Sequence, residues 1–214
     1  MNFSELRQLR PDLAFIAHWI PENTHVLDVG CGDGVMLDYL QTDKQCHGYG
    51  IEIVDDKVLA CAKRGVSVIQ RDMELGLALF DDKAFDTVLC LSSLQMMTNV
   101  EGLLRDIARV GREAIVSFPN FAHWPHRVAL LRGRMPVSKS LPYEWYDTPN
   151  VRCATIGDFA DLANSVGLEV IACVAYRMVS RCIGSPTGAA VWRCFACAVN
   201  PDTADGTDKV HQWL

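Results

Sequence analysis

Along the chain, short runs of branched apolar residues alternate with stretches whose apolar positions recur at helical spacing. That alternation predicts an α/β protein with a mainly parallel sheet and helices on both faces. "LAFIAHWI" (residues 13–20) has helical spacing and stops before Pro21. "HVLDVG" reads as the first strand, and "VMLDYL" opens the helix that follows a glycine loop. "HGYGIEI" is the second strand; Asp55 and Asp56 are placed to cap "KVLACAKR", which Gly65 stops. "VSVIQ", "FDTVLCL" and "EAIVSF" supply three more strands, with the helix "VEGLLRDIARV" ending at Gly111 before the last of them.

The alternation then halts. Residues 119–154 hold five prolines and one clear short helix, "PHRVALLRG", with its proline in the first turn. Thr155 and Asp158 form a near capping box ahead of "FADLANSVG". Two long β-rich runs follow, "EVIACVAYRMV" and "AAVWRCFACAV", joined by "SRCIGSPTG". That link is too short for a parallel crossover, so the runs should pair antiparallel. Residues 1–200 read as a single domain with an insertion at about 119–154, and residues 201–214 as a polar tail.

Composition narrows the class. Half the residues are apolar and 21% charged, as in a soluble globular protein. No apolar run is long enough to span a membrane, and the opening "MNFSELRQLRPDLAF" lacks the apolar core of a secretory signal. Nine scattered cysteines, an odd number, point to reduced thiols and a cytoplasmic protein. A formal charge of −6 argues against a general nucleic-acid surface.

The candidate chemistry sits in "VLDVGCGDG", residues 26–34. Gly30, Gly32 and Gly34 let the backbone turn tightly and approach a ligand, as dinucleotide loops do. Their spacing is one residue short of the dinucleotide fingerprint, and two acids, Asp28 and Asp33, stand where a pyrophosphate would lie. A carboxylate beside a phosphate costs about 1 kcal/mol even in water. A phosphate-free nucleoside bearing cations is attracted instead, and S-adenosylmethionine is one. Glu52, at the end of the second strand, is placed for a ribose diol, and Asp72, after the third, for an adenine amino group. The alternative is a flavodoxin-like or dinucleotide fold whose glycines merely turn the chain.

"VLDVGCGDG", "GYGIEI" and "VIQRDME" resemble the successive cofactor motifs of class I S-adenosylmethionine-dependent methyltransferases. That resemblance implies a Rossmann-like fold of five parallel strands with a C-terminal antiparallel hairpin. It also implies a cofactor site of Asp28, Gly30, Cys31, Gly32, Asp33, Gly34, Glu52, Ile53, Asp72, Met73 and Leu91. Downstream, "IVSFPNFAHWPHRVALLRGRMPVSKSLPYEWYDTPNVRCATIGDF" resembles the distinctive segment of the MetW family of methionine-biosynthesis proteins, and "RPDLAFIAHWIPENTHVLDVGCGDG" resembles its opening. The likeness runs over roughly residues 9–199. It implies methionine biosynthesis, S-adenosylmethionine or S-adenosylhomocysteine as ligand, and the homoserine O-acyltransferase MetX as partner.

No methyl acceptor follows from that likeness. After the fourth strand, "LSSLQMM" (residues 91–97) brings no acid, histidine, lysine or tyrosine to act as base. Met96 and Met97 suit the core better than a cover for the ligand. His123 and His126 could share a helical face, but residues 119–143 hold no acid to complete a metal site, and a surface or supporting role is expected. Cys194 and Cys197 fall on opposite faces of a strand and read as buried structural thiols. Cys31, at a helix start, reads as a small filler rather than a thiolate.

Residues 118–146 carry six of the 18 aromatics, together with Arg127, Arg132, Arg134 and Lys139 against one acid, Glu144. Three readings stand: an insertion with its aromatics buried on the sheet, a lid or anionic-acceptor site, and a protein-binding surface. Three functions compete in turn: a regulatory subunit beside the acyltransferase, an active methyltransferase on a small molecule (an anionic one would suit Arg127, Arg132 and Arg134), and a relic with an empty pocket.

Overall fold

The computed structural model describes residues 1–138, 140–178 and 192–200, with side chains through Cys173. The expected link at residues 180–188, the tail at 201–214 and the side chains of Cys194 and Cys197 lie outside the described residues. Strands β1 (His25–Val29), β2 (His47–Glu52), β3 (Val68–Gln70), β4 (Phe85–Leu91) and β5 (Gly111–Pro119) form a parallel sheet in the order β3-β2-β1-β4-β5. Beyond β5 the sheet order continues with β7 (Trp192–Asn200) and β6 (Glu169–Met178), paired antiparallel.

Alternation along the central strands divides the core in two. Val26, Leu89 and Ile115 face one helical layer, built from α1 (Phe3–Leu9), α2 (Pro11–Ala17), α3 (Val35–Asp43) and Cys61 of α4 (Asp55–Arg64). Leu27, Val88, Cys90 and Val116 face the other, where α5 (Val100–Val110) lays down Leu103, Leu104, Ile107 and Val110 and α7 (Ile156–Ser165) adds Phe159 and Ala163. Period-2 burial on both faces is what a parallel sheet covered on both sides requires.

Strands β2 and β4 and helix α5 fall where the pattern predicts. Others differ for local reasons. Helix α1 was not expected; Asn2 accepts from the Glu5 N–H at 3.0 Å while Glu5 accepts from the Asn2 N–H at 3.0 Å, a capping box written as Asn-x-x-Glu. Pro11 opens α2 two residues ahead of the apolar run, and the helix ends at Ala17, short of residues 18–20. Asp55 and Asp56 do not cap α4: Val54 is its N-cap, and the two acids lie in the first turn, where they complement the helix dipole. At α7 half of the box forms, Thr155 Oγ1 accepting from the Asp158 N–H at 3.2 Å while its hydroxyl donates to the Asp158 carboxylate at 2.6 Å.

The insertion contains α6 (Trp124–Leu131), with Pro125 in its first turn. Its aromatics do not all turn inward. Phe118 is buried and Phe121 half-buried, but Trp124, Trp145 and Tyr146 are 61%, 70% and 72% exposed. The reading in which the insertion buries its aromatics on the sheet is therefore overturned.

Because Leu104 is fully enclosed between α5 and the sheet, Leu104→Ala should cost about 2–5 kcal/mol in urea unfolding. Arg105→Ala, one residue along and losing only an exposed pair with Glu101, should stay within roughly 0.5 kcal/mol.

Candidate functional site

The sheet order reverses between β1 and β4, the place where open α/β sheets hold ligands at the carboxyl ends of their strands. A crevice of about 590 Å³ opens there. The strand ends deliver Asp28 and Gly30 from β1, Glu52 and Ile53 from β2, Asp72 and Met73 after β3, and Leu91 from β4, all on its wall with Cys31, Gly32 and Asp33. Gly34 is not on that wall; it caps α3 and packs against Cys61.

The glycine loop is held by its own amides. The N–H groups of Gly30 and Cys31 both donate to the Ile51 carbonyl, at 2.9 and 3.0 Å, and the Gly34 N–H donates to the Cys31 carbonyl at 3.1 Å. The Gly32 N–H donates to Glu52 Oε2 at 2.9 Å. A phosphate-binding loop aims such donors at its ligand; here these four are engaged within the protein. Gly30 has φ +79°, and a Cβ on it would stand 2.3 Å from Ser93 Oγ. Gly32, at φ +60°, would meet nothing within 4 Å, so only its conformation demands glycine, and its surface is open to the crevice.

Glu52 does more than its sequence position suggests. Its Oε1 accepts from the N–H groups of Ile53 and Val54 at 2.9 and 3.0 Å, in addition to the bond from Gly32 to Oε2. The carboxylate is only 5% exposed, and Lys57 Nζ lies 4.0 Å away. It fastens the glycine loop to the end of β2 while keeping part of its acceptor capacity.

Asp28 is the contrasting case. It is 2% exposed and its Oδ1 has no hydrogen-bond partner among the described residues. Burial, then the charge of Glu52, pushes its carboxyl up to about 7, against a smaller opposing pull from Arg10. A buried acceptor without a donor is costly unless something completes it. Asp33 is half exposed and pairs with Arg64 at 3.2 Å, and Asp72 Oδ1 caps the turn at residues 73–75 through the Glu74 N–H at 2.9 Å. The four acids thus share one crevice, each restrained differently.

Beyond β4, Ser92 adopts φ +55°, rare for serine, while its N–H donates to the Ser117 carbonyl at 2.9 Å and hydroxyl at 3.0 Å. The two methionines part ways: Met97 is core, while Met96 is 41% exposed, and both reach the crevice wall. The histidines are not at the surface. His123 and His126 are 6% and 2% exposed, His126 Nε2 hydrogen-bonds Ser138 Oγ at 3.0 Å, and burial lowers the His126 pKa. Among the described residues no three His, Cys, Asp or Glu side chains converge as metal ligands. Cys31 Sγ lies 3.8 Å from Cys61 Sγ, and burial followed by the charge of Asp28 drives its thiol far above the usual range, so no thiolate forms.

Among the crevice residues that the sequence did not mark are Arg10, Leu13, Val54 and Lys57, with Tyr143 and Pro149 from the insertion. Arg10 also binds Asp12 through two hydrogen bonds of 3.0 and 2.8 Å.

Comparison with known proteins bears on this geometry. The family model described as "Methionine biosynthesis protein MetW" matches residues 10–198. A bifunctional methionine biosynthesis protein MetXA/MetW of Rhodopirellula baltica is 37% identical over 172 residues, 76% of this chain. The chain spans 28% of that relative's length. A sterol 4-C-methyltransferase, strm-1, of Caenorhabditis elegans is 32% identical over 101 residues, 42% of this chain and 29% of that protein. Among solved structures, the magnesium protoporphyrin IX methyltransferase of Synechocystis with bound S-adenosylhomocysteine superposes with TM-score 0.63 at 16% identity, over 92% of this chain and 83% of that one. An S-adenosylmethionine-dependent methyltransferase of Archaeoglobus fulgidus gives 0.63 at 14% identity, over 92% and 98%. At such identities these structures establish the methyltransferase-like fold.

The Asp28 geometry predicts an inverted pH dependence of stability. Its folded pKa lies above the unfolded value, so the native state binds more protons between about pH 4 and 7 and loses stability as pH rises through that window. Asp28→Asn should be more stable than the parent at pH 8 by roughly 1–3 kcal/mol in ligand-free denaturation, with the difference vanishing near pH 4. A parent protein gaining stability from pH 4 to 7 relative to the variant would contradict this.

Proposed function

The chain belongs to the MetW family of methionine biosynthesis proteins, and from that premise we propose that it binds S-adenosylmethionine or S-adenosylhomocysteine and supports a homoserine O-acyltransferase of the MetX type as an accessory or regulatory subunit. The observation that carries the ligand is the unpartnered Oδ1 of Asp28 at the back of an acidic crevice where the amides of Gly30, Cys31 and Gly32 are already engaged. A pyrophosphate would find four carboxylates on the wall and the Gly30, Cys31 and Gly32 amides already engaged; an ammonium or sulfonium would find an acceptor lacking only a donor.

The residues fit such a ligand. Asp28 would take the amino group, and Arg10, on the same wall, would answer the carboxylate. Glu52 would meet the ribose hydroxyls with the acceptor capacity its three backbone bonds leave. Asp72 would accept from the adenine amino group, with Ile53, Met73 and Leu91 supplying apolar walls and Gly30, Cys31, Gly32 and Asp33 the floor. Bound S-adenosylmethionine would supply an electrophilic methyl group. Residues 91–97 bring no base to meet it, which favours an accessory role over methyl transfer to a small, anionic acceptor.

The partner is supported by the Rhodopirellula relative, named as MetXA and MetW in one polypeptide. We also read residues 1–200 as one methyltransferase-like domain closed by a β6–β7 hairpin, with the insertion at 119–154 its distinguishing part and 201–214 a tail. A cytoplasmic setting suits the six cysteines whose side chains are described, all of them free thiols; no described helix is long and apolar enough to cross a membrane.

Purified homoserine O-acyltransferase from the same organism should turn over faster with the chain present; equal rates would end the accessory role. Ligand affinity tests the site separately. Below the free-state pKa of Asp28, binding a cation must expel a proton, so affinity for S-adenosylmethionine should climb from pH 6 to 8, by up to about tenfold per pH unit at the acid end. A flat profile by calorimetry would remove Asp28 from the site.

A further inference from the structure

Half of the exposed large hydrophobic side chains, nine of eighteen among the described residues, fall between residues 124 and 151. That concentration falls within one stretch of the insertion's sequence rather than being spread along the chain. Helix α6 buries only His126; Leu131 is 88% exposed at its end and Trp124 61% exposed at its start. Across the insertion Trp145 and Tyr146 stand edge to face at 5.7 Å, both mostly in solvent. Beside them lies a cavity of about 60 Å³ with Phe121, Met135, Leu141, Tyr143 and Trp145 in its wall. It is far too small for a nucleoside and of a size for one aliphatic side chain. Exposed Arg127, Arg132 and Arg134 accompany this apolar stretch and outnumber its exposed acids Glu144 and Asp147.

Exposed aromatics, a small apolar pocket and arginines are the make-up of an interface core that receives an anchor side chain. We propose that this face of the insertion docks the homoserine O-acyltransferase, and that Tyr143 makes the docking sensitive to the nucleoside crevice. The inference rests on the partner and ligand proposed above and adds where and how the two meet. The acyltransferase is favoured over a second copy of this chain on two grounds. The Rhodopirellula relative joins MetXA and MetW in one polypeptide, which keeps the two portions together. A two-fold contact would lay the arginine excess against itself. The matching surface on the partner therefore carries an apolar anchor within an acidic rim.

The coupling is written in shared walls. Tyr143 lines both the small cavity and the crevice, and Pro149 reaches the crevice as well. At the far end of the insertion the N–H groups of Val151 and Arg152 both donate to the Gln95 carbonyl at 3.0 Å, and the Arg152 guanidinium donates to the Thr98 carbonyl at 2.6 Å. Those bonds fasten the insertion to the segment that carries Met96 on the crevice wall. A ligand that orders Tyr143 changes the pocket the partner fills, and linkage requires the partner to change ligand affinity by the same factor.

The test measures the dissociation constant of the full chain for the intact acyltransferase, with and without saturating S-adenosylhomocysteine, for the parent and for Trp145→Ala and Leu131→Ser. We expect each variant to weaken the complex at least tenfold while binding S-adenosylhomocysteine as the parent does, and the ligand to shift the parent's constant at least threefold. If the parent binds the acyltransferase and both variants bind it equally well, the docking face is wrong while the partner stands. If the parent does not bind it at all, the partner falls and this inference with it. Variants that dissociate a homodimer without touching acyltransferase binding would assign the face to a second copy and overturn the proposal. An unchanged parent constant with ligand present would overturn the coupling.

Discussion

The site depends on one constraint: the amides of Gly30, Cys31, Gly32 and Gly34 are closed on the protein itself. Ile51 takes the N–H groups of Gly30 and Cys31, and Glu52 takes that of Gly32. Both acceptors belong to β2, which pairs in parallel with β1, so the loop is fixed by the strand next to the one it leaves. The same bonds decide the character of the crevice. With those donors engaged, the wall is dominated by Asp28, Asp33, Glu52 and Asp72, and the electrostatic preference turns from anions to cations.

Asp28 completes that logic from the other side. It sits on the same face of β1 as Val26, beneath the layer of α1, α2 and α3, almost wholly buried and facing only the crevice. An ionised carboxylate there is held at a cost, which is why its proton affinity rises into the neutral range. A scaffold selected for stability alone would place an apolar residue at this position. Keeping an unpartnered acid at the strand switch point is a local conflict of the kind found at binding sites.

Much of this was legible in the sequence, because the governing signals are local. The strand and helix periods of β1 to β5 and α5 survive tertiary packing, and strand-end acids in a parallel sheet must converge at one edge. What was illegible depends on contacts distant in the chain. Nothing near Glu52 announces that it clasps Gly32, twenty positions earlier, and nothing near Tyr143 announces that it reaches the crevice. The histidines misled because three-residue spacing says which face of a helix they share but not whether that face is covered; α6 turns His126 inward and leaves its leucines out. The insertion aromatics misled similarly, since composition counts rings without saying which way they turn.

The insertion and the crevice are thus neighbours, with Tyr143 in the wall of both the crevice and the small cavity. The central claim remains electrostatic, that this mouth selects a cationic nucleoside without phosphates over a dinucleotide. Side-by-side calorimetry at pH 8 with S-adenosylmethionine and NADH measures it directly. The account predicts binding of the sulfonium compound at least tenfold tighter than that of NADH. Equal or tighter binding of NADH would contradict it.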